Sequence, residues 1–161
     1  MDEILIVDAS PLILLSRIDR LDLLESLAEQ IWLPQSVVDE LEAGRHLDEA
    51  AERVLALSGN HVLADIPLPE QIHSWGLGAG ESQVLAFGML SQRALLVLDD
   101  LAARRCAKSL QLPLVGSLGI ALLCKHRGLI PKARPIVESL AASGLRLRPE
   151  FMDAALAKVG E

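Results

Sequence analysis

Short apolar runs alternate with longer amphipathic segments along the chain. The runs predict five buried strands, of which the third is placed at an edge of the sheet: Ile4–Val7, Ile31–Leu33, Val62–Ile66, Ala94–Leu98 and Leu112–Val115. Strands that are apolar throughout and separated by helices are typical of a parallel sheet covered on both faces. The pattern therefore predicts an α/β fold.

The segments between these runs have helical periodicity. Ser10 and Pro11 are predicted as the N-cap and first residue of the first helix. Further helices are predicted over 12–27 (as a pair), 35–44, 47–57, 81–90, 100–110, 117–126, 133–142 and 150–159. With 161 residues and no repeat, linker or low-complexity segment, the chain is predicted to be one domain over 1–161, with C-terminal helices from about residue 131.

Composition narrows the class of protein. Apolar residues make up 51% of the chain, which argues against disorder, and the 2% of aromatic residues argues against a protein that stacks single-stranded bases. Cys106 and Cys124 lack metal-site or redox spacing and are predicted to be buried free thiols. No signal-peptide pattern or membrane-length apolar run is present, so we expect a cytoplasmic protein with no membrane partner.

Charge is distributed unevenly. Residues 1–80 hold 15 acidic against 4 basic residues, whereas residues 81–161 hold 7 acidic against 11 basic residues. An acidic half that attracts cations beside a basic half that binds phosphates is compatible with a nuclease, and equally with an ordinary charged surface.

Several carboxylates stand where an α/β sheet presents its ligand crevice. Asp8 follows the first strand, and Asp99-Asp100 follows the fourth. Glu40 lies in a helical segment, and Glu81 follows a glycine pair in Gly78-Ala79-Gly80. Carboxylates that converge repel one another unless a cation lies between them, and hard oxygen ligands suit Mg²⁺ or Mn²⁺. The sequence thus predicts a metal-dependent phosphodiester hydrolase.

Each carboxylate also has a structural explanation. Aspartate is favoured at helix N-termini, so one residue of the 99–100 pair is expected to cap a helix while the other points into the crevice. By its spacing from the strand, Asp100 is favoured as the inner ligand, with Asp99 as the alternative. Glu40 has acidic neighbours and fits a solvated helix face.

Other catalytic motifs are absent from the sequence. It contains no GxxxxGK[ST] phosphate loop, no GxGxxG dinucleotide motif and no GxSxG nucleophile motif. The four histidines are scattered without metal-ligand spacing. A water nucleophile activated by a metal needs none of these motifs.

Four segments in combination resemble the PIN-domain nucleases. They are Val7-Asp8-Ala9-Ser10-Pro11-Leu12-Ile13, Gly78-Ala79-Gly80-Glu81, Leu98-Asp99-Asp100-Leu101-Ala102-Ala103-Arg104, and Pro113–Ile120 continued by Arg127–Pro131. The last segment resembles most closely a VapC-like subgroup, whose members are often the toxin half of a toxin–antitoxin pair.

The resemblance implies a three-layer α/β/α sandwich and an Mg²⁺- or Mn²⁺-dependent endoribonuclease, as the toxin of a type II pair. It assigns catalytic roles to Asp8, Glu40, Glu81 and Asp100, metal binding to Asp8, Glu81, Asp99 and Asp100, and a supporting role to Ser10. The implied partners are RNA and a small antitoxin protein. We also expect a homodimer, because the early helices and the leucine-rich C-terminal helices offer apolar faces.

Two questions stay open at this stage. Arg104 and Arg105, one helical turn beyond Asp100, are candidates for binding RNA phosphates, or they belong to a solvated helix face. The same fold also serves as a protein-interaction or RNA-binding module with weak or lost catalysis.

Overall fold

A five-stranded, wholly parallel sheet forms the centre of the computed structural model, which describes residues 3–44 and 49–161. Its strands, in chain order, are β1 (Ile4–Val7), β2 (Gln30–Pro34), β3 (Asn60–Leu63), β4 (Ala94–Val97) and β5 (Leu114–Val115). Their spatial order is β3-β2-β1-β4-β5. The first strand therefore lies in the middle, and its neighbours are far apart in sequence.

Helices connect and cover the strands. In chain order they are α1 (Ala9–Arg17), α2 (Asp22–Leu27), α3 (Gln35–Ala43), α4 (Ala50–Leu55), α5 (Glu70–His73), α6 (Ala79–Leu90), α7 (Leu101–Ser109), α8 (Ser117–His126), α9 (Arg134–Ala142) and α10 (Pro149–Ala157). Parallel strands need such crossover connections, because each strand must start again at the same end of the sheet.

The central strands are apolar because helices cover both of their faces. Leu5, Ile6 and Val7 of β1 are almost fully buried, and so are Leu96 and Val97 of β4. They belong to one continuous hydrophobic core that runs through the helices as well as the sheet. The predicted three-layer α/β/α architecture is confirmed.

The order of the strands creates a switch point beside β1. The chain first adds β2 and β3 on one side of β1, and then crosses to add β4 and β5 on the other side. Connections from neighbouring strands diverge at such a point and leave a crevice at the carboxyl ends of the strands. In this protein the crevice lies beyond the ends of β1 and β4.

Several predicted boundaries differ from the structure. Ser10 is not the N-cap of α1: the helix begins at Ala9 and Asp8 holds the N-cap position. The reason is that the Asp8 N–H still bonds to the Val97 carbonyl oxygen, 3.1 Å away, so sheet pairing continues up to the helix. Pro11 is tolerated in the first turn, where its missing N–H is not needed.

The edge strand was placed two residues too late, since β3 covers Asn60–Leu63 rather than 62–66. The fifth strand is shorter than predicted, and α6 begins at Ala79 rather than 81. The short helix α5 falls in a segment for which no helix was predicted. The first residues of the helix predicted over 47–57 lie outside the described residues.

Cys106 and Cys124 are buried free cysteines, as predicted. In the part of the chain that the structure describes, none of the helices combines the length and the apolar character that crossing a bilayer requires.

Candidate active site

The strand register aligns acidic residues at the switch point. Val7 of β1 pairs with Val97 of β4, so Asp8 and Leu98 leave the sheet at the same level. The Leu98 N–H in turn donates to the Val115 carbonyl oxygen at 2.9 Å, which places Asp99 beside the turn at Gly116. The residues that directly follow three adjacent strands therefore meet at one edge.

Asp8 is the most buried of the predicted site residues. Its exposed fraction is 3%, and its Oδ1 atom has no hydrogen-bond partner among the described residues. Although Asp8 occupies the N-cap position of α1, its side chain makes no capping hydrogen bond. An unpartnered buried carboxylate oxygen is costly, so its retention points to a ligand that compensates it.

Burial raises the pKa of Asp8 from its ordinary value of 3.8 to about 7, and the negative charges of Glu81, Glu40 and Asp99 act in the same direction. The backbone N–H of Ala9 opposes this shift. Three carboxylates from different parts of the chain are therefore close enough to influence Asp8. A cation at this point would relieve their mutual repulsion and the desolvation of Asp8.

Glu40 is held by a glycine of another helix. Its Oε1 accepts a hydrogen bond from the Gly80 N–H at 3.0 Å. A Cβ atom at position 80 would lie 2.7 Å from the same oxygen and 3.2 Å from Val37 Cγ2. The N-terminus of α6 can thus approach α3 closely only because residue 80 is glycine.

Glu81 occupies the first turn of the same helix. Burial raises the pKa of Glu81, and the charges of Asp100 and Glu40 add to that effect, while the Gly78 backbone N–H opposes it. The favourable helix N-terminus does not outweigh desolvation and like charges here. Glu81 is therefore electrostatically coupled to acids from both sides of the switch point.

Asp99 is fixed by the N-terminus of α8. Ser117 donates its backbone N–H to Oδ1 at 2.7 Å and its hydroxyl to Oδ2 at 2.5 Å. Ser117 is fully buried. A Cβ atom at Gly116 would lie 2.8 Å from Asp99 Oδ1 and equally close to Arg104 Nη1, so a side chain there would displace one of these groups.

Asp100 caps the next helix. It is the N-cap of α7, and its Oδ2 accepts a hydrogen bond from the Ala103 N–H at 3.0 Å. Asp99 and Asp100 both line the cavity at the carboxyl ends of the strands. The charge of Asp99 contributes to the raised pKa of Asp8, and the charge of Asp100 contributes to the raised pKa of Glu81. Which of the two would bind a metal more directly stays a prediction.

A cavity lies at the carboxyl ends of the strands, and we call it the carboxylate cleft. Its volume is about 670 Å³, and it is lined by Ser10, Leu14, Glu81, Asp99, Asp100, Leu101, Gly144, Leu145 and Arg146. Ser10, the predicted supporting residue, therefore lies at the cleft. Sequence reasoning missed the wall formed by the 144–146 loop, because nothing local in that loop indicates which distant residues it contacts.

The two predicted phosphate-binding arginines differ in their positions. Arg104 is half-buried, and its Nη1 donates to the Leu98 carbonyl oxygen at 3.0 Å, so its guanidinium is oriented beside Asp99 and Gly116. Arg105 is exposed on α7. Contact of either residue with RNA stays a prediction.

The donor atoms suit a hard divalent cation, since the site offers carboxylate oxygens and Asp8 Oδ1 is buried without a partner. Over residues 3–44 and 49–161, however, no group of three or more His, Cys, Asp or Glu side chains is arranged to hold a metal ion. Three of the five carboxylates bond instead to backbone N–H groups: Glu40, Asp99 and Asp100. The ligand set thus stays a prediction.

A parallel sheet with acids gathered at its switch point defines a class of α/β proteins with an acidic crevice. A family model described as PIN domain matches residues 4–161. The chain therefore belongs to the PIN-domain family, whose members are generally nucleases that use divalent metals. No curated protein matches the chain.

The family resemblance seen in the sequence is confirmed. The narrower VapC-like subgroup stays a prediction.

Proposed function

We propose that this protein is a divalent-metal-dependent endoribonuclease. The single observation that carries the proposal is the buried, unpartnered Oδ1 of Asp8 at the switch point, where burial and, to a smaller extent, carboxylates from three other segments raise the pKa of its carboxyl. Without a cation, the negative charges of such a cluster repel the phosphate of a substrate. A bound cation would attract the phosphodiester instead.

Asp8, Glu81 and the 99–100 pair would hold one or two Mg²⁺ or Mn²⁺ ions, and Glu40 would complete the acidic set. The metal, when bound, supplies Lewis-acid polarisation of the phosphate and lowers the pKa of a water that attacks phosphorus. No serine, cysteine or histidine nucleophile is required.

The residues of the chain contribute preorganisation. Ser117 fixes the orientation of Asp99 through two hydrogen bonds, and the Gly80 N–H fixes one oxygen of Glu40. These donors belong to helix N-termini, which are rigid parts of the fold. The carboxylates are therefore oriented before the reaction, and little side-chain entropy is lost when the substrate reacts. Arg104, oriented by the Leu98 carbonyl, would bind a phosphate next to the cleaved bond.

The test is cleavage of a structured RNA with Mn²⁺, with and without chelator. Wild type should cleave only with metal, and Asp8→Asn should lower the rate at least about 100-fold. Asp39→Asn, a change to an exposed residue of α3, is the matched control and should cleave normally. Equal cleavage by wild type and Asp8→Asn would refute the assigned role.

We extend the proposal to the toxin of a type II toxin–antitoxin pair, with a small antitoxin protein and a second copy of the chain as partners. Several large apolar side chains stand exposed, with Leu90 71% and Leu101 and Phe151 each 60% exposed, and such side chains are candidates for interfaces. Expression that arrests growth only with an intact Asp8 supports a toxin; absence of cleavage of any RNA would instead favour a binding module.

A further inference from the structure

A second cavity adjoins the carboxylate cleft. It has a volume of about 400 Å³ and lies between β5, the α8 helix and the C-terminal segment that includes α10. The two cavities share Asp99, Leu145 and Arg146 as lining residues. We call the second cavity the side pocket.

The side pocket has the chemical character of a nucleotide site. Its cations are Arg104, Arg146 and Lys158, and its one acid is Asp99 at the border with the cleft. Its apolar lining is aliphatic and consists of Leu114, Val115, Leu118, Leu122, Leu145, Leu147 and Ala155. A nucleotide joins a negatively charged phosphate to a base with flat apolar faces. Cations beside an apolar surface are complementary to these two parts.

The positive charges of this pocket are available for a ligand. Within the described residues, the side chains of Arg146 and Lys158 are exposed and have no hydrogen-bond or ion-pair partner. Arg104 is held by the Leu98 carbonyl oxygen, with its guanidinium beside the border residue Asp99. All three cations line the side pocket, and Arg146 lines the carboxylate cleft as well.

This arrangement separates the two tasks that an RNA hydrolase must perform. The carboxylate cleft is acidic and needs a cation before it accepts a phosphate, whereas the side pocket attracts phosphates without one. Gly116 lies between them, where any Cβ would collide with both Asp99 and Arg104. A side chain at position 116 would therefore displace Asp99 or Arg104 at the border between the cleft and the pocket.

We propose that the side pocket binds the nucleotide next to the cleaved phosphodiester, with Arg146 and Lys158 on its phosphate and the leucine-lined floor against its base. This inference rests on the proposed ribonuclease function and adds a substrate subsite to it. The aliphatic floor offers no donors or acceptors for reading a base edge, so the subsite contributes affinity and position with little base specificity.

The test compares wild type with Arg146→Gln/Lys158→Gln, and uses Lys108→Gln as the matched control, because Lys108 is exposed on α7 and lines neither cavity. Binding of a fluorescein-labelled single-stranded RNA 12-mer is measured by anisotropy in chelator at several salt concentrations. The double variant should bind about tenfold more weakly, with a shallower salt dependence. In Mn²⁺ it should raise KM while kcat changes little.

A competition experiment probes the floor of the pocket. Adenosine monophosphate should displace the labelled RNA at lower concentration than ribose 5-phosphate, and that difference should vanish in Leu118→Ser. Circular dichroism and thermal unfolding establish that each variant is folded. If Leu118→Ser does not fold, the comparison of the two competitors on wild type decides alone.

The possible failures are distinguishable. Wild type that binds RNA through Arg146 and Lys158 without cleaving it would refute the ribonuclease proposal and leave a phosphate-binding pocket. Cleavage with unchanged KM and affinity in the double variant would overturn the subsite and leave the ribonuclease. Binding of an acidic peptide in preference to the RNA would also overturn the subsite, and would assign this face to a protein partner.

Discussion

Ser117 holds both carboxylate oxygens of Asp99, one through its backbone N–H and the other through its hydroxyl. The two residues belong to connections that follow adjacent strands, so the contact closes the edge of the sheet between β4 and β5. Ser117 is buried while Asp99 faces the cleft, so the two hydrogen bonds fix the direction of the Asp99 side chain from its protein side.

Removal of this hydroxyl should loosen Asp99. We expect Ser117→Ala to lower the free energy of unfolding by about 1–3 kcal/mol, because a charged acceptor loses one of its donors inside the protein. The rate of RNA cleavage should fall by more than the increase in unfolded protein can explain. Chemical denaturation and cleavage kinetics provide the measurements.

Ser109→Ala is the control for that prediction, since its hydroxyl bonds to the Cys106 carbonyl oxygen on an exposed helix end. Unchanged metal-dependent cleavage in Ser117→Ala would show that the orientation of Asp99 does not matter for catalysis.

The metal-free protein should lose stability as the pH rises. Because the pKa of Asp8 is raised from 3.8 to about 7 in the folded state, its contribution to stability is fully present below about pH 4, where this carboxyl is protonated in both the folded and the unfolded protein. The contribution is lost progressively as the pH rises through 7. The raised pKa of Glu81 acts in the same direction. The upper limit of the Asp8 contribution is about 4 kcal/mol.

Asp8→Asn should therefore be more stable than wild type at pH 8 in chelator, and the difference should shrink towards pH 4. Urea unfolding across this range measures it, with Asp39→Asn as an exposed control. Parallel stability profiles for wild type and Asp8→Asn would contradict the assignment of a destabilising buried charge.

Binding of a divalent metal should offset the loss of folding stability that the buried charge of Asp8 causes at neutral pH. A ligand that binds only the folded state at 100 times its Kd adds about 2.7 kcal/mol, which raises the Tm of a domain of this size by about 5–10 °C. We expect Mn²⁺ to give such a shift for wild type at pH 7.5 and little shift for Asp8→Asn. Equal shifts in both proteins would place the metal elsewhere.

A side chain at position 80 should be poorly tolerated. In Gly80→Ala the new Cβ would meet Glu40 Oε1 and Val37 Cγ2, so α6 must move away from α3 or Glu40 must give up its hydrogen bond. We expect a cost of about 1–3 kcal/mol in unfolding free energy and a marked loss of cleavage.

Gly44→Ala is the matched substitution, because the nearest atoms to its Cβ are 3.8 Å away and its backbone conformation is ordinary. Thermal unfolding of the two variants compares them directly. If both glycine variants unfold at the same temperature, close packing at position 80 is not what the glycine provides.

The sequence was most informative where a candidate site residue follows a strand. Asp8 and the Asp99-Asp100 pair were predicted to converge, with Asp100 favoured as the inner ligand, because each follows a clear apolar run and parallel strands end on the same side of a sheet. The prediction that Ser10 is the N-cap of α1 was wrong. Sheet pairing continues up to Asp8, so the helix begins at Ala9 and Asp8 itself holds the N-cap position.

Contacts between distant segments could not be derived from local pattern. The hydrogen bond from Gly80 to Glu40 joins residues 40 positions apart, and no periodicity encodes it. The same holds for Arg146, which enters the wall of the cleft from a loop near the C-terminal helices. Such residues are determined by the path of the chain over the finished sheet.

The strand order also has a consequence for synthesis. Asp8 is synthesised first, and Asp99 and Ser117 follow 91 and 109 residues later. β1 cannot acquire its neighbour β4 before then, so an incomplete nascent chain holds no assembled acidic centre. The carboxylate cleft therefore assembles only after synthesis has passed the Asp99 and Ser117 positions.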